Sequence, residues 1–205
     1  MGDNSMPHEM PTGLPGAVPG QRTSVGYEYP ESPAALKLDS PYRILDQYHS
    51  KPRKLRIASI GAGASGLCLA YKTERMLEAG SWELTLYDKN KHFGGTWWEN
   101  TYPGVACDVP AHIYTYTFEP NPDWSSFFAG GAEIQKYFEN FADKYGLRKY
   151  MKLNTKVVEA RWNEEEAIWK LKLEDQVTKE VWEDWSHILV NGTGKSLYAS
   201  VKQTV

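Results

Sequence analysis

Leu55-Arg56-Ile57-Ala58-Ser59-Ile60-Gly61-Ala62-Gly63-Ala64-Ser65-Gly66-Leu67 is the stretch on which the fold of this 205-residue chain turns. Residues 55–60 are an apolar, partly β-branched run that stops at a glycine, the pattern of a buried parallel strand. From Leu67 to Ala79 the residues Leu69, Ala70, Thr73, Met76 and Leu77 recur at helical spacing, and Gly80 supplies a stop. Trp82 to Tyr87 is a second apolar run, with Asp88 at its carboxyl end. A GxGxxG string means little by itself. Set between a strand and a helix, with an acid about twenty residues on, it is the fingerprint of a dinucleotide-binding βαβ unit. An ordinary glycine-rich turn is the competing reading, and this context counts against it.

Each residue type has a physical task in such a unit. Gly61 permits the tight turn out of the strand, Gly63 lets backbone approach a pyrophosphate, and Gly66 lets the helix lie close to the sheet. The unpaired N–H groups at the helix start then face the phosphates. Asp88 is suited to the two hydroxyls of an adenosine ribose and disfavours a 2'-phosphate. FAD or NAD therefore fits better than NADP at this first site.

A second glycine device follows, Phe93-Gly94-Gly95-Thr96-Trp97-Trp98. Paired glycines allow close backbone approach, and the aromatic residues can wall a flat ring system. The stretch from Tyr102 to Tyr116, with Ala106-Cys107-Asp108, reads as a loop, where sites concentrate. Glu133 to Tyr145 reads as an amphipathic helix that turns Ile134, Tyr137, Phe138, Phe141, Ala142 and Tyr145 toward a core. The period then changes to two. Val158, Ala160 and Trp162, then Trp169, Leu171 and Leu173, then Val177 to Trp182 predict an antiparallel meander, and Ile188 to Val190 a last strand leading into Asn191-Gly192-Thr193-Gly194.

Composition narrows the classes. A net charge of −3 gives no electrostatic footprint for nucleic acid. No run reaches the roughly eighteen apolar residues of a transmembrane helix, and the amino terminus lacks the pattern of an export signal, so a soluble cytoplasmic chain is expected. The two cysteines form no disulfide framework. Eight of the twelve prolines precede Lys54, which predicts a disordered or extended arm over residues 1–50; Pro41 to Tyr48 is either a short helix or a linker. Residues 195–205 read as a polar tail. Gly192-Thr193-Gly194-Lys195-Ser196 imitates the end of a phosphate loop but lacks its first glycine and its helix.

Taken together, Gly61 to Gly66, Asp88, Gly94-Gly95-Thr96-Trp97-Trp98-Glu99-Asn100-Thr101-Tyr102-Pro103-Gly104 and Cys107-Asp108-Val109 resemble the class B flavin monooxygenases of Baeyer-Villiger type, in their amino-terminal FAD-binding part. The resemblance runs from about Arg43 to Gly194. It implies FAD as cofactor and NADPH as reductant, with oxygen inserted beside a ketone carbonyl or placed on a soft heteroatom of a small molecule. It implies that Gly61, Gly63, Ser65 and Gly66 surround the pyrophosphate and that Asp88 holds the ribose. Thr96, Trp97, Glu99, Asp108 and Tyr114 would line the isoalloxazine and ribityl end, Gly95 and Trp98 would belong to the same cofactor site, and Val158 would meet the adenine. Ala106, Cys107 and Asp108 would lie where the nicotinamide approaches, Asp108 in a catalytic orienting role; the alternative for Asp108 is a loop-capping carboxylate.

The expected architecture is a three-layer α/β Rossmann-like FAD-binding domain over residues 51–194, with an inserted antiparallel meander, incomplete relative to the family. The second glycine fingerprint, for NADPH, is not among these 205 residues, so a truncated enzyme is expected, with activity from this chain alone not expected. A non-catalytic relative that self-associates or pairs with a longer partner through uncovered apolar surface is the alternative. A simple NAD-dependent dehydrogenase leaves Gly94 to Trp97 unexplained.

Overall fold

The computed structural model describes residues 53–194 and a strand at Lys202–Thr204. These residues belong to one unit of the chain, His49–Val205. The expectations for residues 1–50, including Pro41 to Tyr48, lie outside the described residues.

A parallel sheet is built from β1 (Leu55–Ile60), β2 (Trp82–Tyr87), β3 (Met151–Lys152) and β7 (Ile188–Asn191), in the order β3-β2-β1-β7. Ile60 is in register with both Tyr87 and Asn191, so the three strands end level and their loops leave from one edge. Side chains alternate across the sheet as the pleat requires. Ile57, Leu84 and Leu86 point to the helices, and Ala58, Ile60 and Tyr87 to the meander.

On the helical face lie α1 (Ala64–Met76) and α3 (Gly131–Lys144), separated in sequence by the short α2 (Thr96–Glu99). The α3 stripe is the expected one, with Ile134, Tyr137, Phe138, Phe141 and Ala142 buried. The first helix differs from expectation. It starts at Ala64 and ends at Met76, and its buried line is Gly66, Leu67, Ala70 and Thr73. Met76 is 74% exposed, because the helix stops there and the Leu77 N–H closes the last turn on the Thr73 carbonyl.

The opposite face carries β4 (Thr155–Asn163), β5 (Ile168–Asp175) and β6 (Val181–Ser186), antiparallel in sequence order. The layers are thus helices, parallel sheet and antiparallel sheet; the sequence predicts the three layers and the meander. Two details are corrected. A bulge between Val157 and Glu159 advances β4 by one residue, so Val157 rather than Val158 joins Ala160 in the core. The third strand begins at Val181, because Asp175 Oδ1 accepts from the N–H groups of Val177 and Thr178 at 2.7 and 2.8 Å and turns that segment into a hairpin loop. Within the expected polar tail, β8 (Lys202–Thr204) pairs parallel with Glu159 to Arg161. Strand pairing through backbone leaves no mark in side-chain periodicity.

The two sheets are joined by charge as well as by apolar contact. Arg56 of β1 donates to Asp184 of β6 at 2.8 Å and lies over the Trp185 ring at 4.4 Å, and the Tyr87 hydroxyl donates to the same carboxylate. Burial and that carboxylate push the Tyr87 phenol far above its ordinary pKa. His187 completes the joint, its Nδ1 accepting from the Arg56 N–H at 2.9 Å.

Candidate functional site

At the level edge of the parallel sheet the strand ends are laced together. The Gly61 N–H donates to the Tyr87 carbonyl at 2.7 Å and the Gly192 N–H to the Ile60 carbonyl at 2.9 Å. A Cβ on Gly66 would stand 2.3 Å from the Gly61 carbonyl oxygen, so only glycine lets α1 begin this close to β1. The residue before α1 is Gly63, which provides no side-chain cap, and the first turn holds no acid. The helix therefore starts with amides available to an anion and no negative charge opposing one. Ser65 is exposed in that first turn.

Asp88 flanks the loop at the end of β2 and is buried. Its Oδ2 accepts from the Ala62 N–H at 2.8 Å and its Oδ1 from the Asn90 N–H at 2.9 Å. Burial pushes its pKa up, against the lowering effect of those two N–H groups. Each oxygen retains a lone pair for a further donor. Glu99 is held near by Lys89 at 3.0 Å and Asn90 at 2.8 Å. The structure thus places Glu99 at the Asp88 end of the edge, whereas the resemblance puts it at the ring end.

The second glycine device meets the first. A Cβ on Gly63 would lie 3.3 Å from the Gly95 Cα, and one on Gly95 would lie 3.2 Å from the Gly63 Cα. The Gly94 N–H donates to the Ala62 carbonyl at 3.2 Å. Beyond Gly95, Thr96 is exposed, and Trp97 is buried against Gly131 with its Nε1 donating to the Tyr114 hydroxyl at 3.2 Å. Trp98 leaves in another direction, stacked on His92 with ring centroids 4.6 Å apart.

The loop that follows is tied to the start of α3. Ala106 bridges Gly130, and the Cys107 N–H donates to the Ala129 carbonyl at 3.0 Å. Cys107 is buried; Ala106 and Asp108 are exposed. Val158 is half-buried at the β4 bulge, three residues after Thr155, whose N–H donates to the Asp88 carbonyl. Gly61, Gly63, Gly66, Asp88, Gly95, Trp97 and Tyr114 thus belong to one connected edge, and no contact draws the side chains of Asp108 or Val158 into it.

Two residues of this edge escaped the sequence reading. The Tyr116 hydroxyl donates to the Ala64 carbonyl, pinning the long loop to the first turn of α1. Gln135 is buried on α3 and donates from Nε2 to the Phe93 carbonyl at 3.0 Å. The signal for Gln135 was its position: it shares a face with Phe138 and Ala142, where an apolar residue is the rule. A groove of about 550 Å³ beside Glu74, Trp82, Glu83 and Tyr150 lies at the entering end of β2, the wrong end for a dinucleotide in an open α/β sheet. Among the described residues no group of His, Cys, Asp or Glu is placed to hold a metal, and no helix is long and apolar enough to cross a membrane.

Residues 60–130 match the family described as NAD(P)-binding Rossmann-like domain. An FAD-binding monooxygenase of Aspergillus terreus is 50% identical over 143 residues, 70% of this chain and 25% of that protein. The chain is homologous to the FAD-binding monooxygenases. A second homologue, a Baeyer-Villiger monooxygenase of Pseudomonas aeruginosa, is 40% identical over 119 residues, 58% of this chain and 22% of its own length. Among solved structures, a cyclohexanone monooxygenase in its closed form matches with a TM-score of 0.60 at 27% identity, over 70% of this chain and 26% of that one. The polycyclic ketone monooxygenase of the fungus Thermothelomyces thermophila matches with a TM-score of 0.60 at 26% identity, over 72% and 24%. The chain spans about a quarter of the length of the curated monooxygenases it matches.

Proposed function

We propose that residues 51–194 form the FAD-binding part of a flavin monooxygenase that takes electrons from NADPH and oxygenates a ketone or a soft heteroatom of a small organic molecule. The observation that carries this reading is the apposition of Gly63 and Gly95 beside the uncapped start of α1. Two glycine loops with backbone exposed to each other, amides at a helix start and a carboxylate on one flank fit a dinucleotide whose pyrophosphate lies on the helix and whose ribose reaches Asp88. The buried Trp97 and its partner Tyr114 fit one wall for a flat ring.

In this reading Gly61, Gly63, Ser65 and Gly66 hold the pyrophosphate and Asp88 the ribose. Gly95, Thr96, Trp97, Trp98 and Tyr114 surround the flavin end. Glu99, through Lys89 and Asn90, steadies the segment next to Asp88. Val158 offers backbone to the adenine, and the Ala106-Cys107-Asp108 loop faces the incoming reductant, with Asp108 orienting it. FAD, when bound, supplies the redox chemistry; the chain supplies placement, electrostatics and exclusion of water.

The test is a titration of the protein with FAD, followed by flavin fluorescence, for wild type and Gly63→Asp. The variant puts a carboxylate where the pyrophosphate is read to lie, next to the Gly95 Cα. Wild type binds and the variant does not; equal binding by both contradicts the assigned site. A second reading has its own observation. Tyr102, Ile113, Phe127 and Phe128 are all more than half exposed around the long loop, an apolar surface suited to a non-catalytic FAD-binding protein that associates with a longer monooxygenase. Elution as a complex on size exclusion favours that alternative, and a clean monomer without flavin argues against it.

A further inference from the structure

Gln135 is 8% exposed and stands in α3 between the buried Ile134 and the buried Tyr137 and Phe138. Its Nε2 donates to the Phe93 carbonyl, and its Oε1 has no hydrogen-bond partner. The edge of the amide abuts Gly94: a Cβ built there would be 1.9 Å from Oε1 and 2.7 Å from Cδ and Nε2. On the far side of the same loop, the Gly94 N–H reaches the Ala62 carbonyl and Gly95 abuts Gly63. Phe93-Gly94-Gly95 is therefore clamped between the Gln135 amide and the first glycine loop.

The clamp answers a specific need. Gly94 and Gly95 hold φ values of +122° and +56°, and glycines that reach such values have many other conformations open to them. Something outside the loop must select one. A leucine in place of Gln135 would fill the helix face without leaving a buried carbonyl oxygen unpaired, and native proteins leave few such atoms unpaired. The amide is there for its donor and its close contact with Gly94.

We propose that Gln135 is a positioning residue of the dinucleotide site, fixing the 93–94 peptide so that Gly95 stays against Gly63 and the second glycine loop offers its backbone to the pyrophosphate. This rests on the FAD reading given above. α3 suits the task because its apolar stripe is sunk in the core, so the amide is carried on a rigid base.

The experiment titrates the full chain with FAD by fluorescence and visible absorption, with the melting temperature of cofactor-free protein measured for each variant. Gln135→Leu retains its cofactor-free melting temperature within a few degrees and weakens FAD binding by about tenfold or more, and its bound-flavin spectrum moves toward that of free FAD. Ile134→Val, on the same helix, is the control for a purely structural effect. It lowers the melting temperature and leaves the affinity within about twofold, since it does not touch the loop. Gln135→Leu binding FAD as wild type does, or losing affinity only as far as Ile134→Val does at equal loss of stability, overturns the proposal. Wild-type protein that takes up no FAD overturns the parent reading and this one with it, before any variant is compared.

Discussion

Asp88 shows at the scale of one residue how a binding site is maintained against stability. Burial holds its carboxyl above the ordinary pKa, against the lowering effect of the Ala62 and Asn90 N–H groups. A group whose pKa is raised on folding contributes stability at low pH and loses it as pH rises through the folded value. The cofactor-free melting temperature of wild type should therefore fall as pH rises from about 4 through the folded value, and Asp88→Asn, whose one amide oxygen cannot replace both oxygens that accept from the Ala62 and Asn90 N–H groups, should lose that pH dependence at some cost in stability. FAD affinity should fall by about tenfold or more, since a charge-assisted hydrogen bond is worth about 1.5–3 kcal/mol. A variant that keeps the wild-type pH dependence, or that binds FAD unchanged, contradicts this reading of Asp88. The strand, glycine loop and helix around Asp88 were legible in the sequence because residue type and spacing fix them. The contacts of Glu99 with Lys89 and Asn90 were not legible, because no motif marks them.

Among the elements, the meander and its joint with the parallel sheet give two measurements. Trp169 is half-buried, packed on the inter-sheet cluster and 5.6 Å from the Trp162 ring. Trp169→Ala should cost about 2 kcal/mol in a denaturant melt, below the roughly 3–5 of a fully buried ring; a change under about half a kcal/mol would mean the ring contributes no packing. His187 accepts the Arg56 N–H through Nδ1, which requires the neutral ring, and burial with Arg53 and Arg56 pushes its pKa down. A lowered histidine pKa gives stability that is present above about 6.5, its unfolded value, and is lost as pH falls through the folded value. The melting temperature should drop below about pH 6.5, and His187→Gln, which keeps an acceptor without a titrating ring, should flatten that slope; an unchanged slope removes His187 from the joint. The strands and α3 were readable from periods of 2 and 3.6. The β4 bulge, β3 and β8 were not, since each is decided by backbone pairing with distant residues.

For the molecule as a whole, the level strand ends bring Gly61, Asp88 and Gly192 to one edge, and the second glycine loop closes over it. The fold class was visible in the succession of motifs, whereas the contact between Gly63 and Gly95 was visible only once the chain was folded. That contact turns two glycine signals into a single cradle, and the central claim is that the cradle holds FAD. The direct measurement is the visible absorption spectrum of the full chain, purified without added cofactor and then titrated with FAD. The account predicts a flavin spectrum, distinct from that of free FAD, which saturates near one FAD per chain. A folded protein whose titration gives only the spectrum of free FAD would contradict it.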